Sequence, residues 1–286
     1  MTQLSVSASE AGPIDVGGDL RVNRLGFGSM RLTGRGIWGE PPDRNEAKAV
    51  LRRAVEVGVN FIDTADSYGP AVSETLISEA LYPYPDDVVI ATKGGLERSG
   101  PNLWSANGRP EHLREACDGS LRRLRLDQIP LYQLHRPDPA VPYAESVGAL
   151  VELQAQGKVR HIGVSNVTES QLRTAQQLTP IVSVQNRYNL GDRSSESLVH
   201  LCGQESIVFL PWAPIQQVDS TDLAEAIAAR HGASARQVIL AWLLARSPAI
   251  LPIPGTGSVE HLDSNVAAAG LHLDAREIEA LTNARS

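Results

Sequence analysis

The chain has 286 residues, with 26 Lys and Arg against 33 Asp and Glu, a formal net charge of −7 and 42% hydrophobic residues. This acidic balance excludes the basic footprint of a nucleic-acid binder and any attraction to an anionic membrane surface, leaving small molecules as the expected partners. Two cysteines, Cys117 and Cys202, cannot build a disulfide framework, and each lies in an amphipathic stretch that predicts a buried free thiol. The first residues, MTQLSVSASEAG, have neither a basic region nor an apolar run, so 1–12 reads as a flexible leader and the expected compartment is the cytoplasm. No stretch approaches the roughly 18 apolar residues of a membrane span. Residues 14–22 (IDVGGDLRV) place two short apolar stretches around Gly17-Gly18, a hairpin signal. Short apolar runs then recur at 25–27, 60–62, 88–92, 129–134, 159–164, 181–184, 207–210 and 250–253, eight predicted strands in all.

Helical patterns fill the gaps. Ala47, Val50, Leu51, Ala54 and Val55 share one face, opened by Asp43 with Glu46 three residues later and closed by Gly58. Ser220 and Thr221 precede Leu223, Ala226 and Ile227. Ser234 precedes Val238, Ile239, Trp242 and Leu243, and a last pattern runs over 274–284 with no strand after it. No linker, charge block or repeat divides the chain. The prediction is one (β/α)8 TIM barrel over 1–286, an α/β fold with an N-terminal β-hairpin plugging its lower end and extra C-terminal helices.

Barrels of this class carry their working groups on the loops after the strands. Asp63 ends the second strand in DTADSYG and Tyr68 follows it; Lys93 ends the third in ATKGG and His135 the fourth in YQLHRP. Each would be costly in an apolar core unless paired. Asp63 can hold Lys93 as an ion pair. The ammonium beside Tyr68 then favours the phenolate and is expected to pull the tyrosine pKa below about 10. His135 adds a group to orient a polarised oxygen.

DTADSYG, the TKGG lysine and the histidine closing strand four resemble the Asp, Tyr, Lys and His pattern of the aldo-keto reductases, and the resemblance runs from NRLGFGSM to the final helix. It implies an NADP-dependent oxidoreductase in which a nicotinamide hydride reaches a carbonyl carbon while Tyr68 protonates the oxygen, or the reverse. It also implies that Ser29 and Met30 flank the nicotinamide ribose, that Asp63 borders the nicotinamide, and that Ser165, Asn166 and Gln185 bind the nicotinamide carboxamide. By the same likeness Trp212 stacks on the ring, and Ala213, Pro214 and Ile215 follow the pyrophosphate. IPGTGSVEHLDSN would fold around the adenosine phosphate through Gly255, Thr256, Gly257, His261 and Asn265. Here the chain departs from many relatives. Gly255 stands where Lys is frequent, His261 where Arg is frequent, and Ser264 where an acid is frequent. NADPH is the expected cofactor, with NADH an open alternative. GFGSM lacks the third glycine and the helix start of a Rossmann fingerprint. No metal site is expected.

The substrate is expected between the loops 33–42 and 98–107, with Trp38 and Trp104 at the mouth beside Tyr68 and His135. VNRLGFGSMRLTG, WGEPPDR, EALYPYPDD and IPGTGSVEHL resemble the bacterial branch containing pyridoxal reductases, which implies pyridoxal or another aromatic aldehyde. Two other readings stand beside it: a nicotinamide-binding redox sensor with little turnover, and a lyase using Lys93 as a Schiff base, which needs a desolvated lysine. A monomer or weak oligomer is expected.

Overall fold

A computed structural model of the protein describes residues 6–215 and 222–284. Its strands are β1 Pro13–Val16, β2 Leu20–Asn23, β3 Phe27–Gly28, β4 Phe61–Asp63, β5 Val89–Gly94, β6 Leu96–Gly100, β7 Leu103–Ala106, β8 Ile129–Leu134, β9 Val159–Ser165, β10 Ile181–Gln185 and β11 Val208–Phe209. Seven of them form a parallel sheet in the order β3-β4-β5-β8-β9-β10-β11. The helices are α1 Arg44–Glu56, α2 Val72–Leu81, α3 Pro110–Leu124, α4 Tyr143–Ala155, α5 Glu169–Gln176, α6 Glu196–Glu205, α7 Asp222–His231, α8 Ala235–Arg246, α9 Val259–Val266 and α10 Ala275–Asn283.

The eighth apolar run closes the ring without forming a ladder. Phe209 N donates to the Ala249 carbonyl at 2.8 Å and Leu251 N to that of Phe209 at 2.9 Å; on the other side Gly26 N donates to the Pro252 carbonyl at 2.9 Å and Gly28 N to that of Pro254 at 3.4 Å. Pro252 and Pro254 have no N–H to return these bonds, so this stave only accepts along that edge. The fold is the expected TIM barrel.

Strand alternation sorts the core into two sides. Ile62 and Ile90 point outward under one group of helices, and Tyr132, Leu134, Ile162, Val164 and Val184 outward under the others. Phe61, Val89, Ala91, Leu131, Val208 and Leu251 point inward, where Val16, Leu20 and Val22 of the β1–β2 hairpin join them. The hairpin therefore plugs the barrel, as its sequence predicts.

The helix signals act as expected at several ends. Asp43 accepts from Asn45 N and Glu46 N at the start of α1, and Gly58 follows its end at φ +84°. Ser234 and Gln237 form a capping box on α8, and Asp274 and Glu277 one on α10. The predicted cap at Ser220 and Thr221 lies outside the described residues, as do residues 1–5 of the expected leader. Residues 6–12 correct that expectation. Ser7 and Glu10 cap a short 3₁₀ turn over Ala8–Ala11, Ala8 is fully buried, and its N–H donates to the Val57 carbonyl at 2.8 Å. Both cysteines are buried and free, and burial pushes each thiol up to about 12.

Candidate active site

The same alternation that puts Phe61, Ala91 and Leu131 inside carries two residues further to Asp63, Lys93 and Gln133, one layer nearer the strands' carboxyl ends. Ser165 and Gln185 close β9 and β10 on that side. A polar layer thus caps the apolar interior and floors a cleft of about 410 Å³.

Lys93 is fully buried. Its Nζ donates to Asp63 Oδ2 at 2.7 Å and to the Thr64 carbonyl at 2.8 Å, and lies 3.4 Å from Tyr68 Oη. Asp63 Oδ1 accepts from Gln185 Nε2 at 2.8 Å and from Gln133 Nε2 at 3.3 Å. The carboxylate is therefore held on both oxygens. Burial works against the Lys93 charge, but the Asp63 carboxylate and Tyr68 outweigh it and hold the ammonium above its usual pKa. This disfavours the free amine that a Schiff-base lyase needs.

Tyr68 departs from the expectation in one respect. Burial raises its pKa more than the Lys93 charge lowers it, so the net shift is upward. The phenol stays protonated at neutral pH, ready to donate. His135 lies beside it, ring centroids 5.8 Å apart at 80°, and burial with the nearby Lys93 and Arg136 charges pushes its pKa well below 6.5. The neutral ring meets Ser67 Oγ at Nδ1, 3.4 Å away.

Met30, Asp63, Trp104, Asn166, Trp212, Ala213, Pro214, Ile215 and Gly255 line the cleft with Tyr68, His135, Ser165 and Gln185. Asn166 ties one wall together: its Nδ2 donates to the His135 carbonyl and to Ser165 Oγ, both at 3.0 Å, and its Oδ1 accepts from Trp212 Nε1 at 3.1 Å. The Ser165 hydroxyl donates to the Gln185 carbonyl at 2.8 Å. Donors on this wall are thus used within the protein. Thr256, Gly257, His261 and Asn265 line a second hollow continuous with the first.

Two expected positions move. Ser29 is fully buried and does not line the cleft; its hydroxyl donates to the Asp63 carbonyl at 2.9 Å and accepts from Ser73 at 2.7 Å, so it braces β4 instead of facing a ribose. Trp38 also falls outside the lining, its ring 5.7 Å from the Arg98 guanidinium; its neighbour Ile37 takes the place. Trp104 lies on β7, edge-on to Tyr68 with centroids 6.4 Å apart.

The expected loop over 98–107 is largely the antiparallel β6–β7 hairpin, turning at Pro101 and Asn102, with Asn102 at φ +57°. Arg98, not singled out by sequence, fastens it. The guanidinium lies 3.6 Å from the Trp104 ring centre and donates to the carbonyls of Gly36, Ile37, Ser67, Gly100 and, through Nε, Leu103. Gln133, Arg31, Arg136 and Arg236 were likewise not foreseen. Only Gln133 had a signal, on β8 two residues before His135.

A cleft with a paired lysine and a protonated phenol on its floor thus opens at the carboxyl ends of the barrel strands. The aldo/keto reductase family model matches residues 24–218 and 216–286, and the chain belongs to that family. It is 48% identical over 272 residues to an uncharacterised oxidoreductase of Schizosaccharomyces pombe, covering 94% of this chain and 88% of that one. It is 43% identical to the pyridoxine 4-dehydrogenase of Escherichia coli, over 92% of this chain and 95% of that one. An aldo/keto reductase of Klebsiella pneumoniae, solved with NADP and acetate, superposes with a TM-score of 0.79 at 27% identity, covering 94% of this chain and 93% of that one.

Proposed function

We propose that the protein reduces an aromatic aldehyde, with pyridoxal as the candidate, using NADPH. The observation that carries this reading is the buried Asp63–Lys93–Tyr68 set at the floor of the cleft, a paired cation against a phenol held in its acid form. The cleft fits a nicotinamide nucleotide in its donor set. The amide side chains of Asn166 and Gln185 and the Trp212 indole suit a flat ring bearing a carboxamide, and the Gly255–Gly257 segment before α9 suits phosphate. When bound, the nucleotide supplies the hydride that reduces the carbonyl carbon.

The protein's own groups do the rest. Tyr68 Oη gives its proton to the carbonyl oxygen. Lys93, fixed by Asp63, stabilises the phenolate left behind. A ring N–H of the neutral His135 donates to the same oxygen and orients it, and Trp104 walls the aromatic face. The likeness to the Escherichia coli pyridoxine 4-dehydrogenase and to the NADP-bound Klebsiella pneumoniae enzyme supports substrate and cofactor.

Purified protein should oxidise NADPH when pyridoxal is added and should show a higher kcat/KM with NADPH than with NADH. Reduction of other aldehydes but not pyridoxal would reject the substrate, and a preference for NADH would reject the cofactor.

A further inference from the structure

The cleft does not end at Trp212. A second hollow of about 270 Å³ shares Arg31, Arg236 and Gly255 with it and reaches Thr256, His261 and Asn265. No carboxylate lies among its described lining residues. Arg31 enters from the 3₁₀ turn after β3, Arg236 from the first turn of α8, and both are exposed.

The resemblance leaves a shortage of charge here, since Gly255 and His261 stand where a lysine and an arginine are frequent. The structure gives a reason for the first absence. A Cβ at Gly255 would overlap the Gly28 carbonyl oxygen, and a Cβ at Gly28 would come within 2.7 Å of the Ile253 carbonyl oxygen. The two backbones abut, and no side chain fits at position 255 without parting them. His261 offers an imidazole in place of a guanidinium. In a chain of net charge −7, an anion bound in this hollow needs local cations, and the two arginines that line it are the groups able to provide them.

We propose that Arg31 and Arg236 clamp the 2′-phosphate of NADPH from two sides, in place of the lysine and arginine that relatives place on the loop after the last strand. The proposal rests on the nucleotide reading of the cleft. A guanidinium can bind a phosphate through two parallel N–H donors, and two guanidiniums can balance its two negative charges. Ser234 and Gln237 cap α8 independently of Arg236, so its replacement leaves the helix start intact.

Tryptophan-fluorescence titration with NADPH and with NADH tests this on the unmodified protein, Arg31→Ala, Arg236→Ala, the double variant and Arg236→Lys, with circular dichroism to check folding. Each single alanine should weaken NADPH about tenfold and the pair about a hundredfold, with NADH changed by less than about twofold and Arg236→Lys recovering part of the loss. An unchanged NADPH affinity in the double variant overturns the proposal. Equal losses for both nucleotides also overturn it, because the arginines would then serve the pyrophosphate common to both. If the unmodified protein binds neither nucleotide, the reading of the cleft fails, and this assignment with it.

Discussion

The Lys93 ammonium lies 2.7 Å from Asp63 Oδ2, with the lysine fully buried and the carboxylate nearly so, and each charge depends on the other. Removing one partner of such a pair leaves an uncompensated buried charge, at a cost of about 3–5 kcal/mol. Asp63→Asn should therefore lower the unfolding free energy by that amount. Asp63→Asn combined with Lys93→Met should be more stable than Asp63→Asn alone. Denaturant unfolding measures both, and an Asp63→Asn protein as stable as the parent contradicts the dependence.

Two pH effects follow from groups shifted in opposite senses. Tyr68 is raised by burial against the pull of Lys93, so carbonyl reduction should be flat through neutral pH and lose its acid form only above about pH 10. A limb near pH 7 assigned to Tyr68 by substitution would contradict this. His135 is depressed by burial and neighbouring cations. Above about pH 6.5 it is neutral folded or unfolded, and its contribution to stability is complete. As the pH falls below that value the unfolded chain takes up a proton that the folded site resists, and stability is lost toward the folded-state pKa. His135→Gln should therefore lose less stability than the parent between about pH 7 and pH 5. Thermal unfolding across that range reads the difference.

Arg98 holds the Trp104 side of the cleft together. Its guanidinium joins the 34–39 loop to the β6–β7 hairpin through carbonyl oxygens and packs on Trp104. Arg98→Ala should loosen the wall formed by Ile37 and Trp104, raising the aldehyde KM about tenfold, while nucleotide affinity changes less than about twofold. A variant with equal losses in both would place Arg98 elsewhere in the mechanism.

Gly255→Lys would install the residue type that the family resemblance leads one to expect there. Because the added Cβ overlaps the Gly28 carbonyl, the substitution should destabilise the protein by about 1–3 kcal/mol and fail to tighten NADPH binding. Tighter NADPH binding with unchanged stability would show that the two backbones part easily.

The barrel was legible because each stave is a short apolar run and several helices carry side-chain caps, as at Asp43 and Ser234. The eighth stave was legible as a run but not in its pairing, which Pro252 and Pro254 make one-sided. Asp63, Tyr68, Lys93 and His135 were legible because polar residues at strand ends have few other reasons to be there. Ser29 misled for the same reason: it sits at a strand end, yet Asp63 and Ser73 draw it into the core. Arg98, Arg31 and Arg236 could not be foreseen. Their roles depend on which loops meet across the barrel mouth, and an arginine on an exposed turn looks in sequence like any solvated charge. The direction of the Tyr68 shift was hidden too, since it depends on how deeply the hydroxyl is buried beside Lys93.

Single-turnover reduction of pyridoxal by Tyr68→Phe with NADPH tests most directly whether Tyr68 is the proton donor. The variant should bind NADPH within about twofold of the parent while the reduction step slows by about 10²–10⁴-fold. Reduction at the parent rate with NADPH bound would contradict the account.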